Sequence, residues 1–330
     1  MAEETRPIEG PAAVEMVAPP SPQRFLGAAT LVLMFFASAS LTAAYLSNIQ
    51  AGAQAQMASA STVIDPFAPL SLDAKAVYVA DLATGKVLYA KNEDVQLPLA
   101  SLAKVMLALA VSEALAPDAI VTVPPHSTPD GAPKRLPDGT QWHAQDLIDF
   151  TLVASSNEGA SVLAEAADSV LSRIYKEAKR GGATLWRMND LALNLGLTHT
   201  YFLNESGLDL SETQAGAFGS ARDIALLFAY AASTSPARFE ATARGGEVFR
   251  SLDGAKATVV NTDKILGEIP GLVMGKTGAT DLAGGNLGVI FDVGPAHPVV
   301  AVVLHSTDEG RFSDMRKLVT AAQAAITEAH

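Results

Sequence analysis

The sequence predicts an α+β protein, an antiparallel sheet flanked by helices and joined to a mostly helical lobe. Three observations carry this. Short β-rich runs lie between Ala74 and Asn92 and return after Gly271. Helical periodicity dominates from about Ser101 to Tyr230. The chain closes on one more helical pattern, "FSDMRKLVTAAQAAITEA".

Taken in order, residues 1–24 are polar and hold five prolines, so a disordered cytoplasmic tail is expected. No charge occurs from Phe25 to Ile64. Within that run, Phe25 to Leu46 is apolar and would span ~33 Å as a helix, enough for a bilayer core. Arg24 precedes it and no Lys or Arg follows until Lys75, which orients the N-terminus inward and the bulk outward. A single-pass membrane anchor is expected, with the bulk of the chain outside the cytoplasm. The alternative is a cleaved signal peptide ending at Ala37-Ser38-Ala39. Residues 47–70, rich in Ala, Gln and Ser, read as a flexible linker, and residues 71–330 as the main folded domain.

"AKAVYVADLATGKVLYAKN" predicts a hairpin turning at Ala83-Thr84-Gly85. "AQDLIDFTLVA", "GASVLAEAADSVLSRIYKEA" and "ARDIALLFAYAAS" predict helices, the last capped by Ser220. "GLVMGKTGA", "GNLGVIFDV" and "HPVVAVVLH" predict three late strands. The simplest packing sets the first hairpin beside them in one sheet, with a cleft between the sheet and the helical lobe.

Composition excludes several functions. The 330 residues carry a formal charge of −12, which argues against nucleic acid as a partner. With no cysteine there is no disulfide, thiolate metal site or thiol nucleophile. His126, His143, His199, His297, His305 and His330 are scattered without paired metal-ligand spacing, so surface or loop roles, no metal and no cofactor are expected.

Three clusters carry chemistry. Ser101 and Lys104, three residues apart, share one helix face. A half-buried lysine loses proton affinity and can take the proton of a neighbouring hydroxyl, making it a nucleophile. The first turn of that helix offers N–H groups to a developing oxyanion. S-x-x-K alone arises by chance about once in a chain this size. Ser155 and Asn157 form an S-x-N pair between two helical patterns, where a turn or cap is the plainer explanation. Lys276, Thr277 and Gly278 place a lysine in an apolar strand, where a charged edge is the plainer explanation. Serine acylation accounts for all three in this order.

On these motifs, and on "ADLATGKVLYAKNEDVQLPLASLAKVM", "MNDLALNLGLTHTYFLNESGLD", "SARDIA", "GLVMGKTGATDLAGGNL" and "GRFSDMRKLV", the chain resembles the low-molecular-mass penicillin-binding proteins, the serine-type D-alanyl-D-alanine carboxypeptidases of peptidase family S11. The resemblance covers most of Leu70 to Ala329 and implies a β-lactamase/penicillin-binding-protein-like fold. It implies Ser101 as acylated nucleophile, Lys104 as its base, Ser155 with Lys276 as proton relay, and Asn157 as holder of the substrate amide. Thr277, beside Lys276 and Gly278, would bind the terminal carboxylate, and the N–H groups of Ser101 and Ala279 would form an oxyanion hole. The implied substrate is a peptidoglycan stem pentapeptide that loses its terminal D-alanine. β-Lactams would trap the acyl state.

Two departures stand out. Ala279 follows K-T-G where relatives often carry a bulky or polar residue. The β-rich C-terminal domain and amphipathic anchor of many relatives are not expected here, so the N-terminal segment would anchor the chain. Three rivals remain: a peptidoglycan endopeptidase, an inactive wall-binding protein, and a class A β-lactamase. The last needs an E-x-x-L-N carboxylate, for which the chain offers "DLALN" at Asp190 to Asn194. Asp190 falls off the apolar stripe of Leu185, Met188, Leu191, Ala192 and Leu195 and reads as a solvated helix residue. Trp142 and Trp186 are expected in the core or a cleft wall.

Overall fold

A computed structural model describes residues 65–125, 135–295 and 297–328. The expected tail, membrane anchor, most of the linker, His126 and His330 lie outside them. In chain order the described elements are β1 (Ala76–Asp81), β2 (Val87–Lys91), β3 (Leu97–Pro98), α1 (Ala103–Ser112), β4 (Ile120–Thr122), β5 (Gln141–His143), α2 (Ala144–Val153), α3 (Asn157–Ile174) and α4 (Ala183–Asn194). Then come β6 (Tyr201–Phe202), β7 (Ala217–Gly219), α5 (Ala221–Thr234), α6 (Pro236–Phe239), β8 (Gly246–Arg250), β9 (Lys256–Val260), β10 (Leu272–Thr280), β11 (Gly284–Asp292), β12 (Pro298–Ser306) and α7 (Gly310–Thr327).

The main sheet has the order β10-β11-β12-β1-β2, antiparallel throughout, so the first hairpin does pair beside the three late strands. Gly85 turns that hairpin at φ +74, a conformation that costs glycine little. β11 and β12 read as continuous apolar runs because both faces of the sheet are covered. On one face Val77, Val79, Val289, Phe291, Ala301 and Val303 pack with Phe312, Met315 and Leu318 of α7. On the other Ala76, Tyr78, Val300 and Val302 pack with Leu227 and Phe228 of α5. The Phe228 ring lies so close to β11 that a Cβ on Gly288 would meet it at 2.7 Å.

The helical lobe is built around α1, whose residues Ala103 to Val111 are all buried. A helix apolar all round belongs in a core. α3 starts where the Ser156 hydroxyl accepts the Gly159 amide at 3.0 Å. α5 starts at Ser220, as expected, whose hydroxyl accepts the Asp223 amide at 3.1 Å.

Three details differ from the sequence reading. Phe67, inside the stretch assigned to the flexible linker, is buried and stacks on Tyr89 at 5.3 Å, because its apolar ring finds a partner on the sheet. The hairpin of β8 and β9 was not anticipated, although Asp253-Gly254 marks its turn. His297 is no free surface group: its Nε2 lies 3.1 Å from Asp81 Oδ2.

Candidate active site

Ser101 sits in a 3-10 turn, Ala100–Leu102, that leads directly into α1. The helix expected at Ser101 thus begins with a tighter turn. Ala100 enters it at φ +49, a strained conformation for a residue with a Cβ. The strain is held from outside. The Leu99 amide donates to the Ala217 carbonyl at 3.0 Å. Asn286, fully buried on β11, donates to the Pro98 and Leu99 carbonyls, each at 3.0 Å, and accepts the His305 amide at 2.7 Å. Sequence reasoning missed Asn286. The available signal was one amide in the apolar strand "GNLGVIFDV".

Lys104 is wholly buried. Its Nζ donates to Ser101 Oγ at 2.8 Å, to Asn157 Oδ1 at 2.7 Å and to the Ser206 carbonyl at 2.8 Å. Loss of water is the larger effect on its ammonium, with Glu205 opposing it, and the pKa falls from 10.5 to about 7. A lysine in that state is neutral for a large part of the time at neutral pH, and it touches the serine it would deprotonate.

Ser155 lies between α2 and α3 at φ 54, a second strained turn. Its Oγ accepts Lys276 Nζ at 2.8 Å. Lys276 is also buried and donates to the Thr277 carbonyl at 2.8 Å. Burial first, then the charges of Lys104 and Arg311, push its pKa well below 10.5. Thr277 Oγ1 lies 2.5 Å from Thr262 Oγ1. The Gly278 carbonyl accepts Arg311 Nη1 at 2.9 Å. Ala279 is exposed.

β10 is an edge strand of the sheet, as the charged-edge explanation of Lys276 requires, yet the lysine is buried against the helical lobe. Gly278 permits this approach. A Cβ there would meet the Leu99 carbonyl at 2.8 Å and the Ser101 amide nitrogen at 3.1 Å. Gly278 pairs with Asn286 across the sheet, so both partners of that pair grip the segment entering Ser101. Gly207, at φ +78, closes the other side: a Cβ there would fall 1.9 Å from the Ala100 carbonyl.

The structure therefore brings Ser101, Lys104 and Asn157 into direct contact and sets the Ser155–Lys276 pair beside them. Chemically this is a site competent for acyl transfer through serine, with two dehydrated lysines next to two hydroxyls. Asp190 is elsewhere. It pairs with Arg187, which also binds Glu113 Oε1 at 2.7 Å beyond the far end of α1. It is ion-paired rather than merely solvated, because the aliphatic stripe it falls off is flanked by Arg187. Trp142 is fully buried, and Trp186 packs on Tyr175 at 5.6 Å. Among the described residues no group of three or more His, Asp or Glu clusters to hold a metal ion.

A family model described as D-alanyl-D-alanine carboxypeptidase matches residues 60–308. The chain belongs to that family. The D-alanyl-D-alanine carboxypeptidase DacB2 of Mycobacterium tuberculosis is 33% identical over 208 residues, 62% of this chain and 66% of the relative. The D-alanyl-D-alanine carboxypeptidase DacC of Escherichia coli is 31% identical over 263 residues, 76% of this chain and 61% of the relative. The chain thus spans less than two thirds of the length of these curated relatives. Among solved structures, penicillin-binding protein D2 of Listeria monocytogenes in its ampicillin-bound form is 30% identical, with a TM-score of 0.63, over 76% of this chain and 98% of that one.

Proposed function

We propose that this protein is a serine D,D-carboxypeptidase that removes the terminal D-alanine from peptidoglycan stem pentapeptides and binds β-lactams. The observation that carries this reading is the pair of buried lysine–serine contacts, Lys104 to Ser101 and Lys276 to Ser155, each at 2.8 Å. Ser101 Oγ attacks the carbonyl between the two D-alanines while its proton passes to Lys104. The carbonyl oxygen becomes an anion, for which the Ser101 and Ala279 amides are the donors. The C–N bond then breaks, and the leaving amine takes a proton through Ser155, which Lys276 supports. Water hydrolyses the ester and restores Ser101. Asn157 holds the substrate amide, and Thr277 and Lys276 hold the terminal carboxylate. As an edge strand, β10 can accept the peptide as an added strand.

The test is D-alanine release from a pentapeptide ending in D-Ala-D-Ala, beside fluorescent penicillin labelling of wild type and Ser101→Ala. Release by the wild type and labelling of it alone are expected. Equal labelling of both proteins would remove Ser101 from the role. Cleavage of cross-linked muropeptides without D-alanine release would make the protein an endopeptidase.

The same reading places the catalytic domain outside the cytoplasmic membrane, anchored through residues 25–46. Among the described residues no helix is long and apolar enough to cross a membrane, and the proposed anchor lies outside them. Retention in the membrane pellet after alkaline extraction is expected, and loss of that retention on deleting residues 1–46. Full release of the intact chain by alkali would refute the anchor.

A further inference from the structure

The ammonium of Lys104 is surrounded by uncharged acceptors: a hydroxyl, an amide oxygen and the Ser206 carbonyl. The carboxylate whose charge registers at it belongs to Glu205, the residue just before Ser206. Glu205 does not hang free. Its Oε1 accepts Ser161 Oγ at 2.6 Å. Ser161 stands one turn beyond Asn157 on α3, so successive turns of one helix hold Lys104 and the carboxylate behind it.

The charges around this pair come from three parts of the fold. Lys276 faces Lys104 from β10. Glu165 and Asp168 of α3, with Arg180 before α4, share a cavity of about 770 Å³ with Glu205. Asp168 is occupied there by the Gly181 and Ala183 amides at 2.5 and 2.6 Å. That leaves Glu205 as the carboxylate joined to the Lys104 cradle through one peptide unit. An anion there stabilises the protonated lysine and so strengthens it as a base, its charge acting through space and partly screened because Glu205 is half-buried beside the cavity.

We propose that Glu205, tethered by Ser161, is a positioning residue that sets the charge balance of Lys104 and thereby the pH range over which Ser101 is acylated. The proposal rests on Lys104 being the base for Ser101. It assigns work to a residue that none of the three motifs contains.

The test is the rate of acylation by a fluorescent penicillin as a function of pH across the neutral range, for wild type, Glu205→Gln, Glu205→Asp, Ser161→Ala and Lys104→Ala. Glu205→Gln removes the charge but keeps an acceptor for Ser161. Its acid limb is expected to move down by about half a pH unit or more, as a screened charge at this range requires. Its plateau is expected to fall roughly two- to fivefold, because a weaker base transfers the proton more slowly. Ser161→Ala should move the limb the same way by less, and Glu205→Asp should keep it near the wild-type position. A residue with only a packing role would change the amplitude and leave the limb in place. An unmoved limb in Glu205→Gln overturns the proposal. So does an unmoved limb with slower hydrolysis of the acyl-enzyme, which would assign Glu205 to the deacylating water. If Glu205→Gln does not fold, Ser161→Ala with an unmoved limb overturns it equally. Wild-type acylation by Lys104→Ala would instead sink the role of Lys104, whatever Glu205 does.

Discussion

Gly278 lies against Ser101 so closely that a methyl group on it would stand 3.1 Å from the Ser101 amide nitrogen. The edge strand of the sheet and the strained turn at Ala100 are thus in contact at Ser101 itself. The two nearest neighbours in this contact are backbone atoms, the Leu99 carbonyl at 2.8 Å and the Ser101 nitrogen, and they cannot swing aside.

Gly278→Ala should therefore displace β10 rather than destroy the fold. A loss of stability of about 1–3 kcal/mol is expected, as for other overpacked sites. Acylation by penicillin should fall on the order of 100-fold, since a shift of about 1 Å at a reacting centre has that effect. Thermal melting and labelling kinetics on one sample check both. Wild-type labelling would show that the approach of β10 does not matter.

Lys104 carries a stability signature as well as a chemical one. With its value near 7 when folded and 10.5 when exposed, the unfolded chain binds the extra proton between those limits. Stability should rise with pH across that window, and acylation should rise through its lower end as the amine becomes neutral. Lys104→Met removes the buried charge. It should abolish acylation and stabilise the protein by roughly 1–4 kcal/mol at neutral pH, as apolar replacement of buried charges often does. Denaturant titrations at neutral and alkaline pH decide this. A less stable Lys104→Met would mean that the three hydrogen bonds outweigh the lost hydration.

Asn286→Ala leaves the Pro98 and Leu99 carbonyls and the His305 amide without their buried partner. We expect about 1–3 kcal/mol of destabilisation per lost network contact at most, and not the full sum. Acylation should fall at least tenfold, since the turn that aims Ser101 loses its brace. Penicillin labelling of the folded fraction tests this, and unchanged labelling would confine Asn286 to packing.

Asp190→Asn addresses the β-lactamase rival. Asp190 belongs to the Arg187–Glu113 cluster, away from Ser101. Nitrocefin turnover and acyl-enzyme lifetime should equal those of wild type, with a stability change within about 1 kcal/mol for a partly exposed pair. A lengthened acyl-enzyme lifetime would bring Asp190 back as a deacylating group.

The sheet was legible because its strands are local patterns. Val77 to Ala80 and Val299 to Val303 are apolar runs bounded by turn residues, and the antiparallel neighbours β1–β2, β10–β11 and β11–β12 follow from the hairpin at Gly85 and the short links between the late strands, while β1 and β12 pair across the length of the chain. The pairing of Ser101 with Lys104 was legible for the same reason, since three residues along a helical turn place them on one face. The β8–β9 hairpin escaped notice although its turn is local. Asn286, Thr262, Arg311 and Glu205 escaped it because each owes its meaning to a partner elsewhere in the chain, as Glu205 does to Ser161 and Asn286 to Pro98.

By itself the sequence determined the strands of the main sheet and the longer helices, the i,i+3 spacing of Ser101 and Lys104, and the order of the three motifs, because these depend on local periodicity and residue chemistry. Only the tertiary structure decided that Lys104 is dry, that Asn157 and the Ser206 carbonyl share its protons, and that β10 closes on Ser101. Dehydration and close approach come from segments separated by tens to hundreds of residues, and chain spacing does not encode the distance between them.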